Sequence, residues 1–110
     1  DVILDKMTFS SVKADRFDEF LNKYSISQMI VCGIETHVCV NQTVMDLLAK
    51  DIQPFICLDT LGSRFENDHN IGLERMKGLG AIAVSVEMVL FELMKTACHG
   101  GFKKVQALVK

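Results

Sequence analysis

The sequence predicts an α/β fold, a three-layer αβα arrangement around a mostly parallel sheet, and three observations carry that reading. Short apolar runs alternate with amphipathic stretches of helical period along the whole chain. Met29-Ile30-Val31-Cys32 is unbroken by polar residues, the habit of a strand buried on both faces beneath helices. Strand and helix then follow each other in regular turn, which suits parallel strands joined by right-handed crossovers.

Taken in order, Val2-Ile3-Leu4 reads as the tail of a first strand. A helix is expected over 15–24, capped by Asp15, because Phe17, Phe20, Leu21 and Tyr24 fall on one stripe. After the strand at 29–32, a second helix starts close to Cys39 and runs to about Lys50, with Val40, Val44, Leu47 and Leu48 facing inward. The run 54–58 is a strand, and Pro54 is tolerated at its entry, where a missing N–H matters least. Residues 59–66 read as a polar loop. The next helix, over 67–79, buries Ile71, Leu73 and Met76, ends at Gly80 and hands over to a short strand at 81–84. Ser85 caps a helix whose stripe is Val86, Val89, Leu90, Leu93 and Ala97, and Gly100-Gly101 stops it. Phe102, Val105, Leu108 and Val109 make a final short amphipathic helix. No repeat or Pro/Gly linker divides residues 1–110, so they read as a single domain or part of one.

Composition narrows the function. The chain has 110 residues, 12 Lys+Arg against 14 Asp+Glu, a net charge of -2, and is 49% hydrophobic and 24% charged. Such a chain buries a core and offers no electrostatic footprint for phosphates, which argues against a disordered tail and against nucleic-acid binding by charge. No apolar run reaches the roughly 18 residues that span a bilayer, and no signal-peptide pattern opens the chain, so a cytoplasmic location and no membrane partner are expected. Cys32, Cys39, Cys57 and Cys98 contain no C-x-x-C, and reduced thiols are expected. Cys32, His37 and Cys39 lack the paired spacing of a zinc site, so neither metal nor cofactor is expected.

In open α/β sheets, chemistry gathers beyond the carboxyl ends of the strands. Lys6, Cys39 and Asp59 each follow a predicted strand and could share one crevice. Cys39 stands where a helix begins, so the helix dipole and a nearby Lys6 ammonium favour its thiolate, and first-turn N–H groups could hold an oxyanion. A small buried hydrophobe is the other reading of Cys39, and position alone leaves both open. His37 would have to fold back on its own chain to pair with Cys39, so it reads as a loop residue at the pocket rim or a subunit contact. His69 and His99 read as helix-terminal surface residues, and Met45, Met76, Met88 and Met94 as core or oligomer contacts.

The segment Val31-Cys32-Gly33-Ile34-Glu35-Thr36-His37-Val38-Cys39-Val40-Asn41-Gln42-Thr43 resembles the nucleophile segment of the isochorismatase-like cysteine hydrolases, which include nicotinamidases and N-carbamoylsarcosine amidohydrolase. Residues 33–40 are close to the form in the isochorismatase domain-containing subgroup. Lys6-Met7-Thr8-Phe9-Ser10 resembles the family's K-x-x-F-S segment, and Asp59-Thr60-Leu61-Gly62-Ser63-Arg64 its D-x-x-x-S-R loop. Leu73-Glu74-Arg75-Met76 with Gly80-Ala81 resembles its A-L-x-R-M helix leading to G-A, and 99–110 the subgroup's tail.

The resemblance implies a triad of Asp, Lys and Cys, with Cys39 as nucleophile and Lys6 holding the carboxylate and the thiolate. It implies a non-proline cis peptide at Ile34-Glu35 and an oxyanion hole from the backbone N–H groups of Glu35 and Cys39. Thr36, His37 and Asp59 become pocket candidates. The family's catalytic Asp and the metal ligands of nicotinamidases belong to N-terminal strands expected upstream of Asp1, a position that already lacks an initiator Met. The implied function is hydrolysis of an amide or related C–N bond of a small molecule, by a homo-oligomer. The alternative is a non-catalytic fragment or oligomerising scaffold lacking the catalytic Asp, because a missing central strand leaves a hydrophobic edge that seeks another chain.

Overall fold

Three parallel strands, β1 (Gln28–Ile34), β2 (Gln53–Gly62) and β3 (Ile82–Val84), pair in that order. The computed structural model describes all residues 1–110. Five α-helices accompany the sheet: α1 (Phe17–Lys23), α2 (Asn41–Ala49), α3 (Glu66–Leu79), α4 (Val86–Met94) and α5 (Phe102–Val109). This is the parallel α/β class that the alternation of periods predicts.

Alternation along each strand sorts the side chains between two faces. The register aligns Val31 with Ile56 and Ile56 with Ala83, and that face meets Val44 and Leu47 of α2 and Met76 of α3 in the hydrophobic core. Ile30, Phe55 and Ile82 align on the opposite face, where Val89 and Leu93 of α4 border a groove with Ile30, Phe55 and Val84. This second face is only partly covered, leaving Ile30 46% exposed. Phe91 of α4 meets Phe102 of α5 edge to face, with ring centroids 6.2 Å apart.

Several expected boundaries move. Val2, Ile3 and Leu4 form no strand; instead Val2 and Leu4 line a small apolar cavity with Phe17, Phe20, Ile26 and Met29, while Ile3 is exposed. Asp15 caps nothing: a 3-10 turn at Ser11–Lys13, itself capped by Ser10, precedes α1, and Arg16 enters the helix with left-handed backbone (φ 69). The polar stretch 59–66 is not all loop. Beyond an irregularity after Val31, Gly33 and Ile34 pair with Leu61 and Gly62, so the ladder extends β2 through residues whose polarity reads as a turn. Gly33 takes φ 119 at that irregularity, a conformation that suits glycine. At the far end, Lys95 turns left-handed (φ 64) and its N–H closes on the Phe91 carbonyl, ending α4 before Ala97.

Candidate active site

The Cys39 segment begins where β1 stops. The Ile34–Glu35 peptide is cis, and the chain then makes one π turn, Thr36–Val40, that runs into α2. The N–H groups of Val38 and Val40 both donate to the Glu35 carbonyl, at 3.1 and 3.2 Å, and the Asn41 N–H donates to the Thr36 carbonyl. α3 packs directly on this turn. It comes close because Gly72 has no side chain: a Cβ there would stand 3.0 Å from the His37 Cα and 3.2 Å from its N.

Cys39 is half-buried on this turn. The Lys6 ammonium donates to the carbonyls of Thr8 (2.9 Å) and Phe9 (3.0 Å) and stands 3.9 Å from Cys39 Sγ. An ammonium has three donors, and these three contacts use all of them. A second tie joins the same segments: Thr43 Oγ1 donates to the Cys39 carbonyl at 2.7 Å and accepts the Ser11 N–H at 2.9 Å. The structure therefore brings Lys6 to Cys39, although no strand pairing connects them.

The other expected residues divide. Thr36 is fully buried, and its hydroxyl meets His69 Nδ1 at 2.8 Å. His69 is thus a partly buried partner of the turn and not a free surface residue. His37 Nδ1 meets Ser63 Oγ at 2.9 Å, and its Nε2 lies 3.9 Å from both Glu35 Oε2 and Asp68 Oδ2. Arg64 Nε donates to Glu35 Oε1 at 2.8 Å. The end of β2 therefore fixes the side chains of Glu35 and His37, and the imidazole's partners lie on this side instead of at the sulfur.

Asp59, grouped with Lys6 and Cys39 by its place after a strand, makes its bonds elsewhere. It accepts the first N–H of α4, from Val86, at 3.0 and 3.3 Å, and the Cys57 thiol donates to it at 3.3 Å. These bonds, the Val86 N–H foremost, hold its carboxyl below the ordinary carboxylate range. Cys57 is 2% exposed; burial chiefly, then its bond to Asp59, pushes its thiol up to about 11. Asp59 thus serves the first N–H of α4, alongside Ser85, the expected cap, whose hydroxyl accepts the Met88 N–H at 3.2 Å. Nor does any group of three or more His, Cys, Asp or Glu stand in an arrangement that could hold a metal ion.

Ser63, Arg64, His69 and Thr43 are parts of this neighbourhood that the local pattern does not single out for these contacts. Each acts across 26 or more residues of chain, and only a buried hydroxyl in need of a partner, as at Thr36, hints at them.

The model of the isochorismatase domain matches residues 1–88. Isochorismatase domain-containing protein 2A of Mus musculus is 32% identical over 107 residues, covering 97% of this chain and 52% of that protein. A secreted isochorismatase effector of Phytophthora sojae is 35% identical over 109 residues, covering 98% of this chain and 52% of that protein. The solved MAR1 ribonuclease of Caenorhabditis elegans superposes with a TM-score of 0.87 at 33% identity, over 96% of this chain and 53% of that one. The chain spans about half the length of these relatives.

Proposed function

The chain belongs to the isochorismatase family, and from that premise we propose that Cys39 is the thiolate nucleophile of a hydrolase acting on an amide or related C–N bond of a small molecule. The observation that carries the reading is the Lys6 ammonium 3.9 Å from Cys39 Sγ, a cation held by two carbonyls where it favours the thiolate.

In the proposed reaction the sulfur adds to the substrate carbonyl carbon, and the C=O electron pair moves onto oxygen. The backbone N–H groups of Glu35 and Cys39, beyond the cis Ile34–Glu35 peptide, receive that oxyanion; those of Val38 and Val40 are already committed to the Glu35 carbonyl. The acid/base carboxylate takes the Cys39 thiol proton as the sulfur adds; collapse re-forms the C=O bond and breaks C–N, and the departing nitrogen takes that proton. Water then gives a proton to the same carboxylate as its oxygen adds to the thioester; C–S breaks, releasing the carboxylic acid, and the sulfur and carboxylate return with the one proton they began with. The carboxylate is assigned, through the family resemblance, to the aspartate of the family's central strand, which is none of the strands β1 to β3. His37 borders the substrate, braced by Ser63, while Thr36 is fully buried and supports the turn through His69 instead of lining the pocket, and Asp59 serves α4.

The net charge of -2 supports a small molecule over nucleic acid as substrate. Four free cysteines fit a cytoplasmic setting, and no helix is long and apolar enough to cross a membrane. Ile34, 74% exposed on β1, which pairs with β2 on one side only, with Ile30 beside the groove, supports assembly into a homo-oligomer. The same apolar edge favours the second reading, in which these 110 residues act as an oligomerising scaffold without catalysis.

An activated aryl ester tests the nucleophile, because its leaving group departs without a proton and acylation then needs only thiolate and oxyanion hole. Acid-quenched samples analysed by mass spectrometry should carry the acyl group on Cys39, and Cys39→Ala should remove it. Acylation spread evenly over Cys32, Cys39 and Cys98 would sink the proposal. Turnover of small carboxamides, set against cleavage of single-stranded RNA, separates the two substrate classes.

A further inference from the structure

Lys6 and Cys39 lie 33 residues apart, on a coil segment and on a π turn, so their proximity depends on whatever fastens the two segments together. One side chain does so directly. Thr43, 6% exposed in the first turn of α2, donates its hydroxyl proton to the Cys39 carbonyl and accepts the Ser11 N–H on a lone pair. A threonine that back-bonds to the carbonyl four residues earlier is ordinary in helices. Accepting a backbone N–H from a segment 32 residues away is not. The path continues from Ser11 towards the lysine: Ser10 is buried, Thr8 Oγ1 donates to the Ser10 carbonyl at 2.9 Å, and Lys6 donates to the carbonyls of Thr8 and Phe9.

We propose that Thr43 is a positioning residue that sets the Lys6 ammonium against the Cys39 sulfur by clamping Ser11 to the Cys39 main chain. The inference rests on the proposed role of Cys39 and extends it to a side chain that touches neither the sulfur nor a substrate. One hydroxyl serves both segments, so its loss removes the hydrogen-bonded tie between the Lys6 segment and the nucleophile turn, while Val12 stays in the core with Val40 and Val44 and the bonds of Lys6 to the Thr8 and Phe9 carbonyls remain in place. Valine keeps the shape and removes both bonds; serine keeps both bonds.

A second variant reaches the same tie from the other side. Ser11→Pro removes the N–H that Thr43 accepts. Ser10 already has φ -69 and ψ 130, the conformation a residue before proline prefers, and Ser11 is the first residue of its 3-10 turn, where proline is tolerated. Thr43 itself is untouched.

The experiment alkylates wild type, Thr43→Val, Thr43→Ser and Ser11→Pro with iodoacetamide from pH 6 to 10, following each cysteine by mass spectrometry. Exposed Cys98 reports intrinsic thiol chemistry, and buried Cys57 stays unmodified near neutral pH while the fold is intact. We expect Thr43→Val and Ser11→Pro to slow Cys39 at pH 7 by roughly 3- to 10-fold, the range spanned by one net hydrogen bond. Both should move the Cys39 profile to higher pH, while Thr43→Ser follows wild type and Cys98 is constant. Should Thr43→Val expose Cys57, Ser11→Pro decides. A wild-type Cys39 no faster than Cys98 overturns the nucleophile reading and this inference with it. An activated wild-type Cys39 that Ser11→Pro leaves unchanged, or that Thr43→Ser slows as much as Thr43→Val, overturns the positioning role alone.

Discussion

Gly72 of α3 lies against the backbone of His37, so closely that a Cβ would stand 3.0 Å from the His37 Cα. Through that contact, α3 supports the turn whose next residues carry Cys39. His69, one helical turn earlier in α3, bonds the buried Thr36 hydroxyl in the same turn. The Cys39 turn is thus braced from the α3 side by a missing side chain and a hydrogen bond, and from the Lys6 side by Thr43.

Gly72→Ala should therefore destabilise the protein, although alanine outranks glycine in helix propensity by about 1 kcal/mol. The obstructing atoms are main chain in a hydrogen-bonded turn and have little room to yield. A loss of about 1–3 kcal/mol is expected in urea unfolding, the usual range for overpacking. A stabilised variant would show that the turn gives way easily.

The pH dependence of stability has two identifiable limbs. Cys57 is raised from 9.0 to about 11, so its neutral form is favoured in the fold; its contribution is complete below pH 9 and is lost as pH rises from 9 towards 11. Asp59 is lowered from 3.8, so its contribution is present above that value and is lost as pH falls through the lower folded value. Urea melts across pH should show both losses. Cys57→Ala should lack the alkaline loss, whereas Asp59→Asn should lack the acid loss and keep most of the alkaline one, because burial outweighs the Asp59 bond at Cys57.

Ile30 and Ile34 present apolar surface on β1, which has no strand on its outer side. If assembly uses this edge, Ile34→Lys should lower the sedimentation-derived association state, since a lysine on an edge strand opposes pairing. Ile71→Lys provides a control: it is exposed on α3, away from that edge, and should leave association unchanged. Equal effects from both substitutions would remove the edge from the account.

The sequence made the fold class legible because periodicity is local. The unbroken run at Met29 to Cys32 and the stripe through Val44 and Leu47 both lie on the elements their spacing predicts. Val2 to Leu4 misled because strand formation depends on a ladder partner, which no local pattern records. Asp59 to Gly62 misled in the opposite sense: its polarity reads as a turn, yet Gly33 and Ile34 give it paired neighbours. The meeting of Lys6 with Cys39 and the Ser85 cap of α4 could be read, although no strand precedes Lys6; the diversion of Asp59 to the Val86 N–H could not, since that contact spans 27 residues. The same holds for Thr36 with His69 and for Thr43 with Ser11, single polar contacts that leave no period.

The central claim, a Cys39 thiolate sustained by Lys6, is tested most directly by the ratio of Cys39 to Cys98 alkylation at pH 7 in wild type and Lys6→Met. Cys98 is exposed and Cys39 only half so, which means that access alone would favour Cys98. The account predicts that Cys39 is nevertheless the faster in wild type, and that Lys6→Met lowers the ratio by roughly fivefold or more, the weight of a unit charge about 4 Å away in water. A wild-type ratio at or below one, or a ratio that Lys6→Met leaves unchanged, would contradict it.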